Sequence, residues 1–294
     1  MTKTTLDQLH LSLLREAVPQ QYDSIGVMTP GIHGRIGCRA SVYRAQARRL
    51  SRAGASAVEP LLIEFLADAR RRRSEGRPYV QELMWTVMLA ASQVPGVSFE
   101  RRLAWLSELA DSVDNWATCD LLGEAVKDFA EPAHTEAARV FLEDLIASRS
   151  PWRIRLALVL LLTHFAPAGG EMLRTAFDLA ERPEVREAAA RDYYVSMGLA
   201  WTYSVYAVHD MAETSRRLCS LARSGGLDPA TLRRSVQKVR ESFRVSREAH
   251  AELKAKVRDA VEGNSSECTQ KADNSKPKTG VPALRRRQGS RTSA

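Results

Sequence analysis

Residues 150–165 read SPWRIRLALVLLLTHF, and this stretch decides the fold class. Ser150 offers a capping hydroxyl, and Pro151 suits the first helical position because its missing N–H would have no partner there. Apolar residues then follow at three- and four-residue spacing, which predicts a helix over residues 152–165. The chain therefore contains at least one strongly apolar helix near its middle.

The same spacing predicts helices on both sides of this one. They cover residues 64–72, 79–92, 101–112, 119–129, 135–146, 172–181, 185–208, 211–222, 230–243 and 249–261. No segment alternates apolar and polar residues for long enough to indicate a strand. Short glycine- and proline-bearing links separate the helices, and successive helix pairs recur about every 35–45 residues. We predict an all-α protein, an α-solenoid of stacked HEAT-like helix pairs (an α-α superhelix); the alternative is a globular helical bundle.

Three regions follow from the distribution of apolar residues. Residues 1–36 form an N-terminal helix and an irregular, glycine-bearing segment, and residues 37–262 form the repeat domain. Residues 263–294 contain almost no apolar residues and are predicted to be a disordered basic tail.

The net charge of the whole chain says little about the surface of the folded part. Of the 294 residues 27% are charged, and the net charge is +8. Residues 263–294 hold seven lysines and arginines against two acids, a net of +5, which leaves +3 for residues 1–262. A nucleic-acid surface on the folded part must therefore come from local clusters, such as the arginines and lysines of residues 233–247.

Composition also limits the location and the chemistry. The longest apolar run, residues 156–162, is far shorter than the roughly 20 residues that span a bilayer. The first residues lack the pattern of a secretory signal, and the four cysteines suit reduced thiols rather than a disulfide framework or zinc site. We expect a cytoplasmic monomer without a membrane role, and without metal or organic cofactor because no phosphate loop or metal-ligand spacing occurs.

Two short motifs contain residues suited to a binding site. In residues 114–120, DNWATCD, Asn115 or Asp114 can cap a helix, and Trp116 and Asp120 then share one face. An aromatic ring beside a carboxylate suits a cationic ligand, whereas a cap with a packing tryptophan is the alternative. In residues 152–155, WRIR, the two arginines point to different faces, so we expect one to be exposed. The other must either extend its charged end to the surface or bind an anion, which is a phosphate or an acid of a neighbouring repeat.

The chain resembles the AlkD-like family of bacterial DNA alkylation-repair glycosylases, which are built of HEAT-like repeats. The resemblance covers most of residues 37–260 and is strongest over residues 192–254, which include YYVSMGLAWTYSVY and RESFRVSRE. Residues 115–120 and 152–155 also resemble the family, whereas Ala40-Ser41 replaces the Thr-Pro of its N-terminal turn.

The resemblance implies a role for four residues. Asp120 corresponds to the catalytic aspartate, Trp116 and Trp201 to the site tryptophans, and Arg155 to a phosphate-contacting arginine. The implied reaction is hydrolysis of the N-glycosidic bond of cationic N3- or N7-alkylated purines in double-stranded DNA, without a flipped-base pocket. Two other functions are compatible with the same scaffold: non-catalytic DNA binding and protein interaction.

Overall fold

The computed structural model describes residues 4–18 and 32–274, so most of the predicted irregular segment and residues 275–294 lie outside the described residues. The described residues form fourteen helices, numbered here in chain order. They are α1 (Leu6–Arg15), α2 (Ala40–Arg52), α3 (Ala55–Ser74), α4 (Gln81–Ser92), α5 (Phe99–Ala110), α6 (Trp116–Ala125), α7 (Thr135–Ala147), α8 (Pro151–Leu160, continued by a π-helical turn Leu161–Phe165 and by Ala166–Ala168), α9 (Gly170–Ala180), α10 (Pro183–Arg191), α11 (Tyr193–His209), α12 (Met211–Ser224), α13 (Pro229–Glu241) and α14 (Arg247–Asn274).

The helices form a repeat solenoid, which confirms the predicted all-α fold class. Helices α2, α4, α6, α8, α11 and α13 pack side by side in that order, and we call them the central row. The other helices lie against this row: α3 and α5 on α4, α7 on α8, α10 and α12 on α11, and α14 on both α12 and α13. Among the described residues, no helix combines the length and apolar character needed to cross a membrane.

Some helix boundaries differ from those predicted. The predicted helix 185–208 is two helices, because Asp192 leaves the helical conformation (φ −123°, ψ 125°) and caps α11 by accepting a hydrogen bond from the Val195 N–H at 2.9 Å. The predicted helix 119–129 instead spans Trp116–Ala125, since Asn115 begins it earlier. The last helix continues to Asn274, twelve residues past the predicted end of the repeat domain at residue 262.

A buried carboxylate organises the turn that lacks Thr-Pro. Glu82 of α4 is fully buried, and its Oε1 and Oε2 accept hydrogen bonds from three consecutive backbone N–H groups, those of Ile36, Gly37 and Cys38, at 3.0–3.2 Å. Hydrogen bonds from several N–H groups compensate a buried carboxylate for the loss of its hydration. The turn that leads into α2 is therefore held in place by α4.

Close approach of α6 and α8 depends on Gly123. A Cβ at this position would lie 2.5 Å from Cγ1 of Val159, which is completely buried in α8. Real Cβ atoms do not approach a neighbour so closely, so any side chain here must push the helices apart. This packing also positions Asp120, the predicted catalytic residue, which lies one turn before Gly123 on α6.

We predict that Gly123→Ala lowers the free energy of unfolding by about 1–3 kcal/mol through overpacking. Gly263→Ala is the matched control, since Gly263 also lies in a helix but has open space where the methyl would go. Urea denaturation followed by circular dichroism measures both. Val159→Ala removes the methyl that would clash. The double variant Gly123→Ala/Val159→Ala should therefore lose less stability than the sum of the losses in the two single variants. Strictly additive losses would show that the two side chains do not clash.

Candidate functional site

The starts of successive central-row helices lie next to one another. The first residue of α4, Gln81, accepts hydrogen bonds at its Oε1 from Asn115 Nδ2 (3.1 Å) and Thr118 Oγ1 (3.0 Å) at the start of α6. At the other end of the row, Ser196 of α11 and Thr231 of α13 share a hydrogen bond of 2.6 Å between their hydroxyls. These contacts define one edge of the row, which we call the helix-start edge.

Polar contacts beneath the surface fix the first turn of α6. Asn115 is the N-cap, and its Oδ1 accepts a hydrogen bond from the Thr118 N–H at 2.9 Å. The Trp85 indole N–H donates to Thr118 Oγ1 at 2.8 Å from the neighbouring α4. Trp116 is thereby held at the first position of α6, partly exposed, with Asp120 one turn later on the same face.

The site is centred on an ion pair between Asp120 and Arg155. Nη2 of Arg155 lies 2.8 Å from Oδ1 of Asp120, and the two side chains are 6% and 18% exposed. Nη1 of Arg155 donates to the backbone carbonyl of Tyr194 on α11, also at 2.8 Å. The guanidinium therefore bridges α6 and α11 from its position on α8.

A small residue of α11 lies against this arginine. At Gly198, a Cβ would lie 3.4 Å from Nη1 and 3.5 Å from Cγ of Arg155. These are ordinary van der Waals distances, so the Arg155 side chain packs directly against α11 at this position.

Burial and charge act in opposite directions on Asp120. Removal from water raises the pKa of Asp120 above its ordinary value, and the Arg155 guanidinium partly offsets that rise. An aspartate that is partly desolvated and held in one orientation can stabilise a developing positive charge and accept a proton from water. The pair therefore has the chemistry expected of a catalytic carboxylate and the residue that positions it.

Aromatic residues lie at the starts of α8 and α11, the helix that carries Arg155 and the helix whose Tyr194 carbonyl accepts its hydrogen bond. The rings of Trp152 and Tyr194 are 5.0 Å apart at an interplanar angle of 33°, and Tyr193 packs edge-on against Tyr194 at 5.5 Å. Arg234 of α13 lies 5.3 Å from the centre of the Tyr193 ring. Tyr193 and Tyr194 are 58% and 38% exposed, so their rings remain accessible.

Trp201 lies farther along α11. It follows Tyr194 by seven residues, which places it about 10 Å further along the helix axis and on the same side. It belongs to a stripe of partly exposed residues with Met197 and Val205. Of the four residues singled out in the sequence, the ion pair joins Asp120 and Arg155, and helical spacing adds Trp116. No contact links the Trp201 side chain to these three among the described residues.

The sequence analysis did not identify Tyr194 or Trp152 as site residues. Both occupy the second position of a central-row helix, directly after the first residues Tyr193 and Pro151. Aromatic residues at equivalent positions of successive helices were the signal that could have revealed them. Reading that signal required knowing that residues 185–208 contain two helices, with the second beginning at 193.

The arginines of the WRIR motif both pair with acids of other helices. Arg153 Nη1 lies 2.6 Å from Asp111 Oδ1, and Arg155 pairs with Asp120. Each arginine thus pairs with an acid of a neighbouring repeat, one of the two kinds of anion that the sequence left open. Both Nη atoms of Arg155 are engaged, and its buried Nε has no hydrogen-bond partner among the described residues.

One group of side chains within the described residues has the spacing to hold a metal ion: Asp128, Glu131 and His134. The Asp128 carboxylate already forms a two-pronged ion pair with Arg102, and the His134 Nδ1 is 2.9 Å from the Asp128 carbonyl oxygen. The Arg102 pair also lowers the pKa of Asp128. These contacts account for the group structurally, and it lies beyond the C-terminal end of α6, away from the helix-start edge.

Comparison with known proteins identifies the family. A family model described as DNA alkylation repair enzyme matches residues 37–219, more than half of the chain. No curated protein and no solved structure matches the chain. The matched range runs from the turn held by Glu82 into α12, and so includes the ion pair of Asp120 and Arg155. The resemblance seen in the short motifs is confirmed, and the chain belongs to the DNA alkylation repair enzyme family.

Proposed function

We propose that the protein is a DNA glycosylase that hydrolyses the N-glycosidic bond of cationic N3- or N7-alkylated purines in double-stranded DNA. Family membership implies DNA as the partner and alkylation repair as the process. The observation that carries the finer proposal is the Asp120–Arg155 pair, because it holds a partly desolvated carboxylate beside exposed aromatic rings.

The chemistry needs a carboxylate rather than a strong acid. An alkylated purine already carries positive charge, so the bond from C1′ to the base breaks with its electron pair passing to the base, which leaves neutral. Positive charge then develops on the sugar, where the Asp120 carboxylate stabilises it. A water oxygen bonds to C1′, and Asp120 accepts the proton that this water releases.

The aromatic rings suit the same substrate. The faces of Trp116 and Tyr194 present negative quadrupole potential, which attracts a cationic base or the positive sugar. Trp201 extends this aromatic surface along α11. The starts of α6, α8 and α11 also present backbone N–H groups and the positive ends of helix dipoles, which favour the anionic DNA backbone.

In this proposal Arg155 positions Asp120 and does not primarily clamp a phosphate. Its side chain is 6% exposed, and each of its two Nη atoms already donates a hydrogen bond within the protein. Phosphate contacts then fall to more exposed cations such as Arg234, which lies beside Tyr193 and donates to Ser196 Oγ at 2.8 Å.

Non-catalytic DNA binding is the second candidate, and the ion pair itself is the observation in its favour. A carboxylate that is neutralised by a buried guanidinium is less available to a substrate. This function predicts salt-dependent binding to duplex DNA without release of any base.

Asp120→Asn is the first test. Using duplex DNA treated with a methylating agent, we expect the wild-type protein to release 3-methyladenine or 7-methylguanine, and the variant to do so about 100-fold more slowly or less. Glu124→Gln is the control, since Glu124 is an exposed acid one turn further along α6. Undiminished release by Asp120→Asn would contradict the proposed mechanism, and no release by the wild type would favour the non-catalytic function.

The pH dependence of excision tests the role of Arg155. Activity requires ionised Asp120, so the rate should fall as the pH drops through the pKa of that carboxyl. Because Arg155 lowers this pKa against the effect of burial, Arg155→Gln should shift the acid limb of the profile to higher pH. Arg155→Lys keeps the charge and should shift it less. A profile that keeps its position in folded Arg155→Gln, while the rate falls at every pH, would show that Arg155 acts elsewhere.

We expect different effects from substitutions of Tyr194 and Trp201, both on α11. Tyr194 contacts the Arg155-bearing region directly, so Tyr194→Ala should lower kcat/KM about tenfold or more, whereas Tyr194→Phe should retain activity because the ring face is kept. Trp201→Ala should reduce kcat/KM less, because Trp201 lies two turns farther along the helix. Single-turnover excision with each variant gives the ranking, and a larger loss for Trp201→Ala would reverse our placement of the lesion.

A further inference from the structure

A groove runs between the last two helices, α13 and α14, at the C-terminal end of the central row. Its volume is about 400 Å³. The floor is aliphatic and comes from both helices: Leu232 and Val236 from α13, Val257 and Val261 from α14. None of the residues that line the groove belongs to the Asp120–Arg155 site.

The groove lies where a further helix of the row would pack. Thr231, Ser235 and Val239 of α13 are buried, and Thr231 contacts Ser196 on α11. Arg233, Val236 and Arg240 project from the opposite side of α13, into the groove. In a solenoid each helix is covered on both sides by neighbours, and a terminal helix needs a polar face or a cover. Within the described part of the chain no helix beyond α14 covers this side of α13, whose floor is apolar.

The rim of the groove is strongly basic. Arg233, Arg240, Lys254 and Arg258 line it, together with one acid, Glu262. Arg258 forms ion pairs with Asp259 and Glu262 at 3.1 and 3.9 Å. The other three cations have no ion pair among the described residues, in contrast to most arginines of α3, α7 and α8. Burial, and then the charges of Arg240 and Lys254, lower the pKa of the neighbouring His250, as expected of a positive environment.

We propose that this groove binds an amphipathic helix of a partner protein, with aliphatic residues on the floor and acidic residues against the basic rim. A helix of this kind meets both properties of the groove, since its apolar face covers the floor while its acids match the unpaired cations. The groove face of α13 spans residues 229–240, about 16 Å, which corresponds to three helical turns of a partner.

Charge argues against the other occupants. A second copy docked through the same surface would bring two basic rims together, because a two-fold interface repeats the patch on both subunits. Residues 275–294 carry six lysines and arginines and no acid, so this segment of the chain would be repelled. Duplex DNA would match the cations, but the aliphatic floor would then remain uncovered.

The test is fluorescence anisotropy of the full chain with a labelled helical peptide of about sixteen residues, carrying leucines on one face and glutamates beside them. We expect saturable binding by the wild type, and binding about tenfold weaker or more for the double variant Arg233→Glu/Arg240→Glu. Arg48→Glu/Arg49→Glu on α2 is the matched control, with the same charge change on exposed residues at the other end of the row. Thermal melting checks that each variant is folded.

Two further measurements separate a docking groove from a general anion surface. A peptide with serine in place of the leucines should lose its binding, and Val236→Asp should weaken the binding of the original peptide about tenfold. No binding by the wild type, equal loss in the α2 control, or unchanged binding of the serine peptide would each overturn the proposal. A groove variant that keeps its affinity for the peptide but loses affinity for duplex DNA would also overturn the proposal.

Discussion

The guanidinium of Arg155 is the constraint on which the arrangement of this protein's site depends. It extends from α8 to an aspartate on α6 and to a backbone carbonyl on α11, so one side chain joins three neighbouring helices. Burying a charge is unfavourable unless it is paired and hydrogen-bonded, and removing one partner leaves the other uncompensated. The starts of the three helices must therefore keep their register for the pair to form. That register also sets the positions of the Trp116, Trp152 and Tyr194 rings, which lie at the starts of the same three helices.

The close packing around this pair has its own requirements. Glycine at 123 lets α6 approach α8, and the Arg155 side chain packs against Gly198 of α11. Any side chain at position 123 would push apart helices that the ion pair holds together. The polar contacts of Gln81, Asn115 and Thr118 perform the corresponding task between α4 and α6. The site is thus an edge built from helix starts, each held by the helix before it.

Charge is distributed according to position in the row. Many arginines pair with acids of the same or a neighbouring helix and stabilise the packing, as Arg217 does with Asp178, Glu181 and Glu213. At the C-terminal end, Arg233, Arg240 and Lys254 line an apolar groove and form no ion pair with any residue that the structure describes. A near-balanced net charge on the folded part is therefore compatible with two distinct surfaces, one at the helix-start edge and one between α13 and α14.

The sequence by itself determined the all-helical repeat fold, because helical periodicity and short glycine- and proline-bearing links are local properties. It also placed Trp116 and Asp120 on one face of one helix, since that relation depends only on spacing within α6. It did not place the break at Asp192, because the apolar pattern continues through the junction while a single capping aspartate ends one helix and begins the next. Only the tertiary structure decided what Arg155 binds, since its partners lie 35 and 39 residues away and two kinds of anion suited the same motif. The same holds for Tyr194, which belongs to the site because α8 and α11 are adjacent in space, a relation that no local pattern records.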